Sequence, residues 1–203
     1  MIKLSIIIPC YNSGHHIVQN INKLKKKIRK FNIFSEIILV DDGSKDNTLK
    51  QLIIAKKKFK NIKILKNKKN IGKSFSLIKG IKKSKFKQLL IYDSDLPYFN
   101  DLNKILKNLK KYDLIFIDRK SKNSKLKSKK LSLYQISRLI VGKLVCFIIN
   151  LINLSNSNQD TQAGLKAFNK PKNFNKIKFV SKKFFFDAEI MILFHINNKK
   201  ILS

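Results

Sequence analysis

The chain has 203 residues, 43% of them apolar, which is enough for one packed domain of ordinary size. Its 45 basic and 12 acidic residues give a formal net charge of +33, but only three of the basic residues are arginine, and the lysines are scattered through every segment. This distribution, with abundant Ile, Asn and Phe, argues against a nucleic-acid-binding protein and favours attraction to anionic lipid headgroups.

The cysteines and the apolar runs bear on the compartment. Cys10 and Cys146 are far apart in sequence and form neither a disulfide framework nor a zinc-binding spacing, so a reducing cytosol is expected. The first apolar run is too short for a signal peptide, and no run of 18 uncharged apolar residues occurs. We therefore predict a cytoplasmic protein that does not clearly span a membrane.

The first part of the chain alternates between strand-like and helix-like segments. Apolar, β-branched runs predict strands at residues 4–9, 36–40, 62–65, 89–92 and 114–117. Between them apolar residues recur every three or four positions, as Ile17, Ile21, Leu24 and Ile28 do. This alternation predicts an α/β fold with a mostly parallel, Rossmann-like sheet flanked by helices.

The sequence changes character after Arg119. A polar, lysine-rich loop leads to residues 131–154, a long apolar segment interrupted by Arg138 and one lysine. This segment suits either a helix lying in a membrane interface or a core helix of the domain. The stretch "DTQAGLKAF" then predicts a turn into a short strand, and "FFFDAEIMILFHI" predicts a helix with Asp187 and Glu189 near its start.

The scarce acidic residues cluster where predicted strands end. Asp41 and Asp42 follow the second strand, and Asp93 and Asp95 follow the fourth. Because ligands of parallel α/β sheets bind beyond the carboxyl ends of the strands, these positions predict a site. If the fourth strand continued through Asp95, the two carboxylates would lie about 6–7 Å apart on one side of the sheet. They would repel each other, so a lysine or a metal ion is expected between them.

Six motifs occur in order, namely "SIIIPCYN", "EIILVDDGSKDNT", "NIGKSFSLIKGI", "IYDSDLPY", "DTQAGLKAF" and "FFFDAE". The series resembles glycosyltransferase family 2, which has the GT-A fold, and is most similar to the dolichyl- or polyprenyl-phosphate glucosyl- and mannosyltransferases. "DTQAGLKAF" favours the β-glucosyl subgroup, whereas Ser13, at a position that is often Glu in the mannosyltransferases, weakens the mannose-specific version.

The resemblance implies one domain over residues 1–203. Residues 1–119 would form the nucleotide-sugar-binding half, and residues 120–203 the half that faces the acceptor and the membrane. Members of the family usually continue beyond "NNKKILS", so either a truncated C-terminus or a lean relative is expected.

The resemblance assigns the donor pocket to five residues. Asp41, or Asp42 beside it, would bind the donor's base or ribose, and Pro9 and Tyr11 would line the pocket. Gly72 would permit a close approach of the backbone to the donor. For Asp42 helix capping is an alternative role, because acidic residues suit a helix start.

The stretch "DSD" matches the family's DxD signature. By resemblance Asp95 would coordinate Mg²⁺ or Mn²⁺, and Asp93 would contact the metal or the ribose. A hard divalent ion needs few protein carboxylates because diphosphate oxygens and water complete its octahedron. Pro97 stands where some relatives have a further Gln ligand, which indicates looser ligation or a water in that place.

Gly72, Lys73 and Ser74 imitate the end of a Walker A loop, but Asn67 stands where that loop needs a glycine, which excludes an ATPase. Arg119 and Arg138 match positions where similar enzymes hold a phosphate, and arginine provides a planar fork for that purpose.

Asp160 and Asp187 bear on the acceptor. An acceptor hydroxyl would need one of them as general base, whereas an ionised lipid phosphate needs none. We interpret the three histidines, His15, His16 and His195, as structural or surface residues because they show no metal-binding spacing.

These residues predict a metal-dependent, inverting hexosyltransferase that uses UDP-glucose or GDP-mannose as donor and polyprenyl phosphate, dolichyl or undecaprenyl, as acceptor. It would bind peripherally to the anionic inner face of the membrane. Two alternatives are a family 2 enzyme acting on a saccharide hydroxyl and a degenerate, non-catalytic basic protein that binds membranes.

Overall fold

The computed structural model describes residues 1–117, 164–179 and 186–202. The predicted interfacial segment at residues 131–154 lies outside them, as do Arg119, Arg138 and Asp160. In the described part no helix is long and apolar enough to cross a membrane.

The described elements alternate between strands and helices, as the sequence predicts. The strands are β1 Ile2–Cys10, β2 Ile33–Asp41, β3 Ile62–Lys66, β4 Gln88–Tyr92, β5 Leu114–Phe116, β6 Leu165–Asn169 and β7 Ile201–Leu202. The α-helices are α1 Ile17–Arg29, α2 Thr48–Lys58, α3 Lys73–Lys82, α4 Leu102–Asn108 and α5 Phe186–Ile196, and a 3-10 turn spans Phe174–Lys176.

The strands form one sheet in the order β3-β2-β1-β4-β6-β5-β7. The neighbours from β3 to β4 are parallel, and β5 is parallel to β7. In contrast, β6 runs antiparallel to both β4 and β5. The prediction of a mostly parallel α/β sheet is confirmed. The insertion of β6 between β4 and β5 was not foreseen.

Helices cover both faces of the sheet because its central strands carry apolar side chains on both sides. In β1, Ile6 and Ile8 pack on the face covered by α1, α2 and α4, whereas Ile7 points to the face covered by α3 and α5. Such continuous apolar runs are typical of sheets that are buried on both faces. On the second face a Cβ at Gly80 would press on the Ile7 side chain, so α3 lies very close to β1.

The buried carboxylate of Glu36 is satisfied within the core. Glu36 in β2 accepts hydrogen bonds from the Ser5 hydroxyl and the Lys85 N–H, both at 2.6 Å. Cys10 is fully buried, and burial together with the nearby Asp41 raises the pKa of its thiol far above the usual range. Cys10 is therefore an inert core residue.

Candidate active site

The acidic residues predicted to form a site do meet at one edge of the sheet. Asp41 ends β2, and Asp93 directly follows β4. The strand between these two is β1, and the Asp42 N–H donates to the Cys10 carbonyl at the end of β1, at 2.8 Å. The carboxyl ends of the parallel strands therefore bring the "DDGS" and "DSD" motifs together.

Asp42 fastens the loop between β3 and α3 to this edge. Its Oδ1 accepts hydrogen bonds from Asn67 Nδ2 at 2.8 Å and from the Ile71 N–H at 3.1 Å, and its Oδ2 accepts from the Gly72 N–H at 2.9 Å. Asp42 therefore does not cap the helix that follows it in sequence. It stabilises the loop that leads into α3. The donor role stays a prediction, and Asp42 has fewer free lone pairs for it than Asp41.

Asp41 is also buried, and its one described side-chain hydrogen bond comes from the Ser44 N–H at 3.1 Å. Asp46, not Asp42, engages the start of α2 by accepting from the Thr48 N–H at 2.9 Å. Gly43 has a φ of +68°, and a Cβ there would overlap the Lys69 backbone. Glycine is thus needed at this turn, which lies between Asp42 and Asp46.

The other predicted pocket residues lie at the end of β1. Tyr11 is 44% exposed, and Pro9 is half-buried beside it. The next residue, Asn12, has a φ of +49° and accepts from the Lys45 N–H at 3.0 Å. This turn leaves the Tyr11 ring free to contact a ligand.

The "DSD" residues lie in a turn, so the carboxylate spacing considered for a strand continued through Asp95 does not apply. Strand β4 ends at Tyr92, and the Leu96 N–H donates to the Asp93 carbonyl at 3.0 Å. Leu96 and Tyr98 both have positive φ angles, of 51° and 56°. Such strained backbone is concentrated at functional sites, where the surrounding structure holds it in place. Alternation along a strand therefore does not determine where the Asp93 and Asp95 carboxylates point.

Ser94 anchors this turn to the loop after β1 and to α1. Its hydroxyl lies 3.0 Å from the Ser13 hydroxyl, and its carbonyl accepts from Asn20 Nδ2 at 2.9 Å. Asp95 remains exposed at the tip. His16 lies close enough for Asp95 to raise its pKa, although burial and the adjacent His15 lower that pKa more strongly. The sequence analysis missed the place of His16 beside the signature.

A lysine neutralises Asp93. Lys73, the first residue of α3, places its Nζ 2.5 Å from Asp93 Oδ1, and both side chains are 31% exposed. Of the alternatives raised by the sequence, the structure therefore has a lysine beside Asp93. This lysine belongs to the stretch Gly72, Lys73 and Ser74, which imitates the end of a Walker A loop in sequence.

A second ion pair lies behind the first. Lys166 in β6 is only 2% exposed, and its Nζ lies 2.9 Å from Asp187 Oδ1 in the first turn of α5. Burial lowers the pKa of Lys166, and the Asp187 carboxylate opposes this effect. Lys73 and Asp93 also act on this pKa, so the two ion pairs form one cluster of alternating charges.

Gly164 fits this cluster against β4. The Asp93 N–H donates to the Gly164 carbonyl at 2.9 Å, and a Cβ at Gly164 would overlap the Asp93 carboxylate. The glycine of "DTQAGLKAF" therefore provides the space in which Asp93 sits.

Tyr92 contributes a buried phenol below the turn. Its side chain is fully buried, and its hydroxyl has no hydrogen-bond partner among the described residues. Burial raises its pKa far above the usual range, and the charges of Asp95, Asp101 and Asp93 raise it further. Tyr92 therefore stays protonated and keeps an unused donor near the acidic turn.

A divalent cation fits the donor set of this turn, although few protein ligands are present. Asp95 is exposed and Asp93 partly exposed, and both provide the hard oxygen atoms that Mg²⁺ and Mn²⁺ prefer. No group of three or more His, Cys, Asp or Glu side chains that could hold a metal occurs in the described part of the chain. An ion here would need oxygen atoms from a ligand or from water.

Lys73 and Lys166 were not predicted from the sequence as site residues. Both lie within quoted motifs, but in a chain with this many lysines neither position stands out. A lysine between apolar residues of a predicted short strand was the available signal for Lys166, because buried lysines need a partner.

Comparison with known proteins places the chain in a family. A profile described as "Glycosyl transferase family 2" matches residues 5–185. The chain belongs to glycosyltransferase family 2. Among curated relatives, a dolichyl-phosphate β-glucosyltransferase of Dictyostelium discoideum is 36% identical over 126 residues, covering 56% of this chain and 38% of the relative. An uncharacterized glycosyltransferase of Synechocystis is 36% identical over 123 residues, covering 60% and 39%.

The Saccharomyces cerevisiae dolichyl-phosphate β-glucosyltransferase is 27% identical over 206 residues, covering 94% of this chain and 62% of that protein. The chain thus spans about two fifths of the length of the first two relatives and just over three fifths of the yeast protein.

Solved structures confirm the GT-A fold. Glucosyl-3-phosphoglycerate synthase from Mycobacterium tuberculosis, in complex with Mn²⁺, UDP and phosphoglyceric acid, aligns with a TM-score of 0.68 at 15% identity. The alignment covers 98% of this chain and 67% of that one. Staphylococcus aureus TarS aligns over 100% of this chain and 58% of its own, with a TM-score of 0.61 and 20% identity.

We predict that Gly164→Ala displaces the Asp93 carboxylate, because no space exists for the added methyl group. Mn²⁺-dependent binding of UDP or GDP, measured by calorimetry, should fall at least about tenfold, as expected when a charge-assisted contact is lost. Gly80→Ala is the matched control, since its added methyl strains the core but not the site. Equal nucleotide affinity in the two folded variants would contradict the prediction.

We predict that Lys166→Met destabilises the fold, because it leaves Asp187 without its buried partner. The free energy of unfolding in urea should fall by about 3 kcal/mol, the usual cost of breaking a buried pair. Lys63→Met, at an exposed position in β3, should change it little. Adding Asp187→Leu to Lys166→Met should recover part of the loss, and a double variant no more stable than the single one would refute this explanation.

Proposed function

We propose that this domain is a metal-dependent, inverting hexosyltransferase that uses a UDP- or GDP-sugar as donor and polyprenyl phosphate as acceptor. The observation that carries the proposal is the meeting of Asp41, Asp93 and Asp95 at the carboxyl edge of a family 2 sheet. The names of the relatives support the lipid acceptor, since several are dolichyl-phosphate β-glucosyltransferases.

The donor would bind across the carboxyl ends of β1, β2 and β4. Asp41 would accept hydrogen bonds from the base or ribose, and Tyr11 and Pro9 would line the pocket beside it. Gly72, held at a φ of +99°, would let the backbone approach the donor closely. Two structural neighbours support a nucleotide-sugar but do not choose the nucleotide: the Mycobacterium tuberculosis synthase with UDP, and the mannosyltransferase PcManGT from Pyrobaculum calidifontis with GDP-mannose and Mn²⁺.

Asp95 would hold Mg²⁺ or Mn²⁺ with help from Asp93, and this ion would stabilise charge on the leaving nucleoside diphosphate. Two structural neighbours contain Mn²⁺, which supports a divalent ion of this kind. In the transfer, an acceptor oxygen forms a bond to the anomeric carbon as the bond to the diphosphate breaks, which inverts the configuration.

The Lys166–Asp187 pair argues against Asp187 as the general base that a saccharide hydroxyl would need. A general base must take a proton from the attacking group, but Asp187 Oδ1 is already engaged by Lys166 at 2.9 Å. An ionised phosphate needs no base. Arg119 and Arg138 would hold that phosphate and Asp160 would orient it, roles that rest on the resemblance alone.

Peripheral association with the inner face of an anionic membrane would bring the domain to its lipid acceptor. The lysine surplus supports this location, since each lysine near an anionic surface adds favourable free energy.

We expect calorimetry to detect binding of UDP-glucose or GDP-mannose in the presence of Mn²⁺ and to lose it on chelation. Asp95→Asn should lower the affinity at least about tenfold, because it removes a charged ligand of the ion. Asp101→Asn is the matched control, an exposed carboxylate six residues further on. Failure of the folded wild-type protein to bind either donor would refute the enzyme and favour a degenerate binding protein.

We expect transfer of radiolabelled hexose to dolichyl or undecaprenyl phosphate in vesicles, giving a lipid product that mild acid hydrolyses. A glycosyl phosphate is acid-labile, whereas a glycoside is stable under the same conditions. The control acceptor is the corresponding free polyprenol, which lacks the ionised oxygen. Transfer to a soluble saccharide and not to the lipid phosphate would overturn this assignment in favour of the hydroxyl acceptor.

A further inference from the structure

We propose that Lys73 is an exchangeable counter-ion, bound to Asp93 in the free protein and transferred to the donor's diphosphate when donor and metal bind. This proposal rests on the proposed function, and it assigns a donor-positioning residue that the sequence analysis did not identify. The evidence comes from the anchoring of Lys73, the charge around it and the exposure of its side chain.

The backbone of Lys73 is fixed while its side chain is free to move. The two preceding residues, Ile71 and Gly72, donate their N–H groups to the buried Asp42 carboxylate. The Lys73 side chain reaches across from α3 to Asp93 and is 31% exposed. A change of partner therefore needs only rotations of the flexible four-carbon stem.

The surroundings of Lys73 favour an anion. Lys73 is the first residue of α3, where the partial positive charge of the helix end disfavours a cation and favours a negative ligand. The Lys166 ammonium lies close enough to Lys73 for the two charges to interact, which adds repulsion. In the free protein Asp93 offsets both effects, and a diphosphate at this edge would do so equally well.

The charge balance couples the exchange to metal binding. Asp93, Asp95 and Lys73 together carry one net negative charge, which is a weak attraction for a divalent ion. While Lys73 neutralises Asp93 at Oδ1, Asp93 attracts a cation less strongly than Asp95 does. A diphosphate that draws Lys73 away would release the second carboxylate. Metal and nucleotide would then bind best together.

The experiment measures two affinities by calorimetry in wild type, Lys73→Gln, Lys73→Arg and Lys82→Gln. The first is for Mn²⁺ alone, and the second is for UDP or GDP, whichever wild type binds, at saturating Mn²⁺. Lys82→Gln makes the same charge change at an exposed position of the same helix. Thermal melting checks that each variant is folded.

Opposite changes are expected in Lys73→Gln. Mn²⁺ alone should bind about fivefold more tightly, because Asp93 loses a partly exposed competitor. The nucleotide should bind about tenfold more weakly, because its diphosphate loses a charged donor. Lys73→Arg should keep the wild-type Mn²⁺ affinity and most of the nucleotide affinity, and Lys82→Gln should change neither.

Two different results would overturn the proposal, and they distinguish failure of the exchange alone from failure of the proposed function. If wild type binds nucleotide but Lys73→Gln behaves like Lys82→Gln, or weakens Mn²⁺ and nucleotide alike, Lys73 is not an exchangeable counter-ion and the donor site stands. If folded wild type binds neither UDP nor GDP with Mn²⁺, the proposed function fails and the exchange fails with it.

Discussion

Burial of a positive charge inside the sheet constrains the arrangement of the whole site edge. Lys166 lies on β6, between β4 and β5, and a lysine at such a position is costly unless a carboxylate neutralises it. Asp187 meets this need only if the start of α5 packs against β6. The Lys166–Asp187 pair therefore holds β6 and the start of α5 together beside Asp93 and Lys73.

A second constraint acts from the other side of the edge, through Asp42. Its three hydrogen bonds hold the loop before α3 against the end of β2, and that loop determines the position of Lys73 at the start of α3. Their hydrogen bonds thus give the two aspartates of "VDDGS" different roles. Asp42 supports the site from within, whereas Asp41 keeps acceptor capacity for a ligand.

Much of the fold was predictable because its signals are local. Continuous apolar runs gave the central strands, and the three- and four-residue spacing gave α1. The place of β6 depends on antiparallel pairing with strands far away in sequence, which no local pattern encodes. The shape of the turn at Asp93–Asp95 was not predictable either, because positive φ angles at Leu96 and Tyr98 are imposed by tertiary contacts and not by residue type.

The lysines show why composition both misleads and informs here. Among the described residues most lysines are exposed and consistent with a general surplus, so residue type alone gives no reason to prefer Lys73 or Lys166. Burial separates them, since Lys166 is the one lysine that is buried among the described residues. Lys73 is distinguished instead by its partner, because it neutralises Asp93, a carboxylate of the "DSD" signature that we propose as a metal ligand. Functional lysines in such a basic chain are therefore recognised by the carboxylates they face.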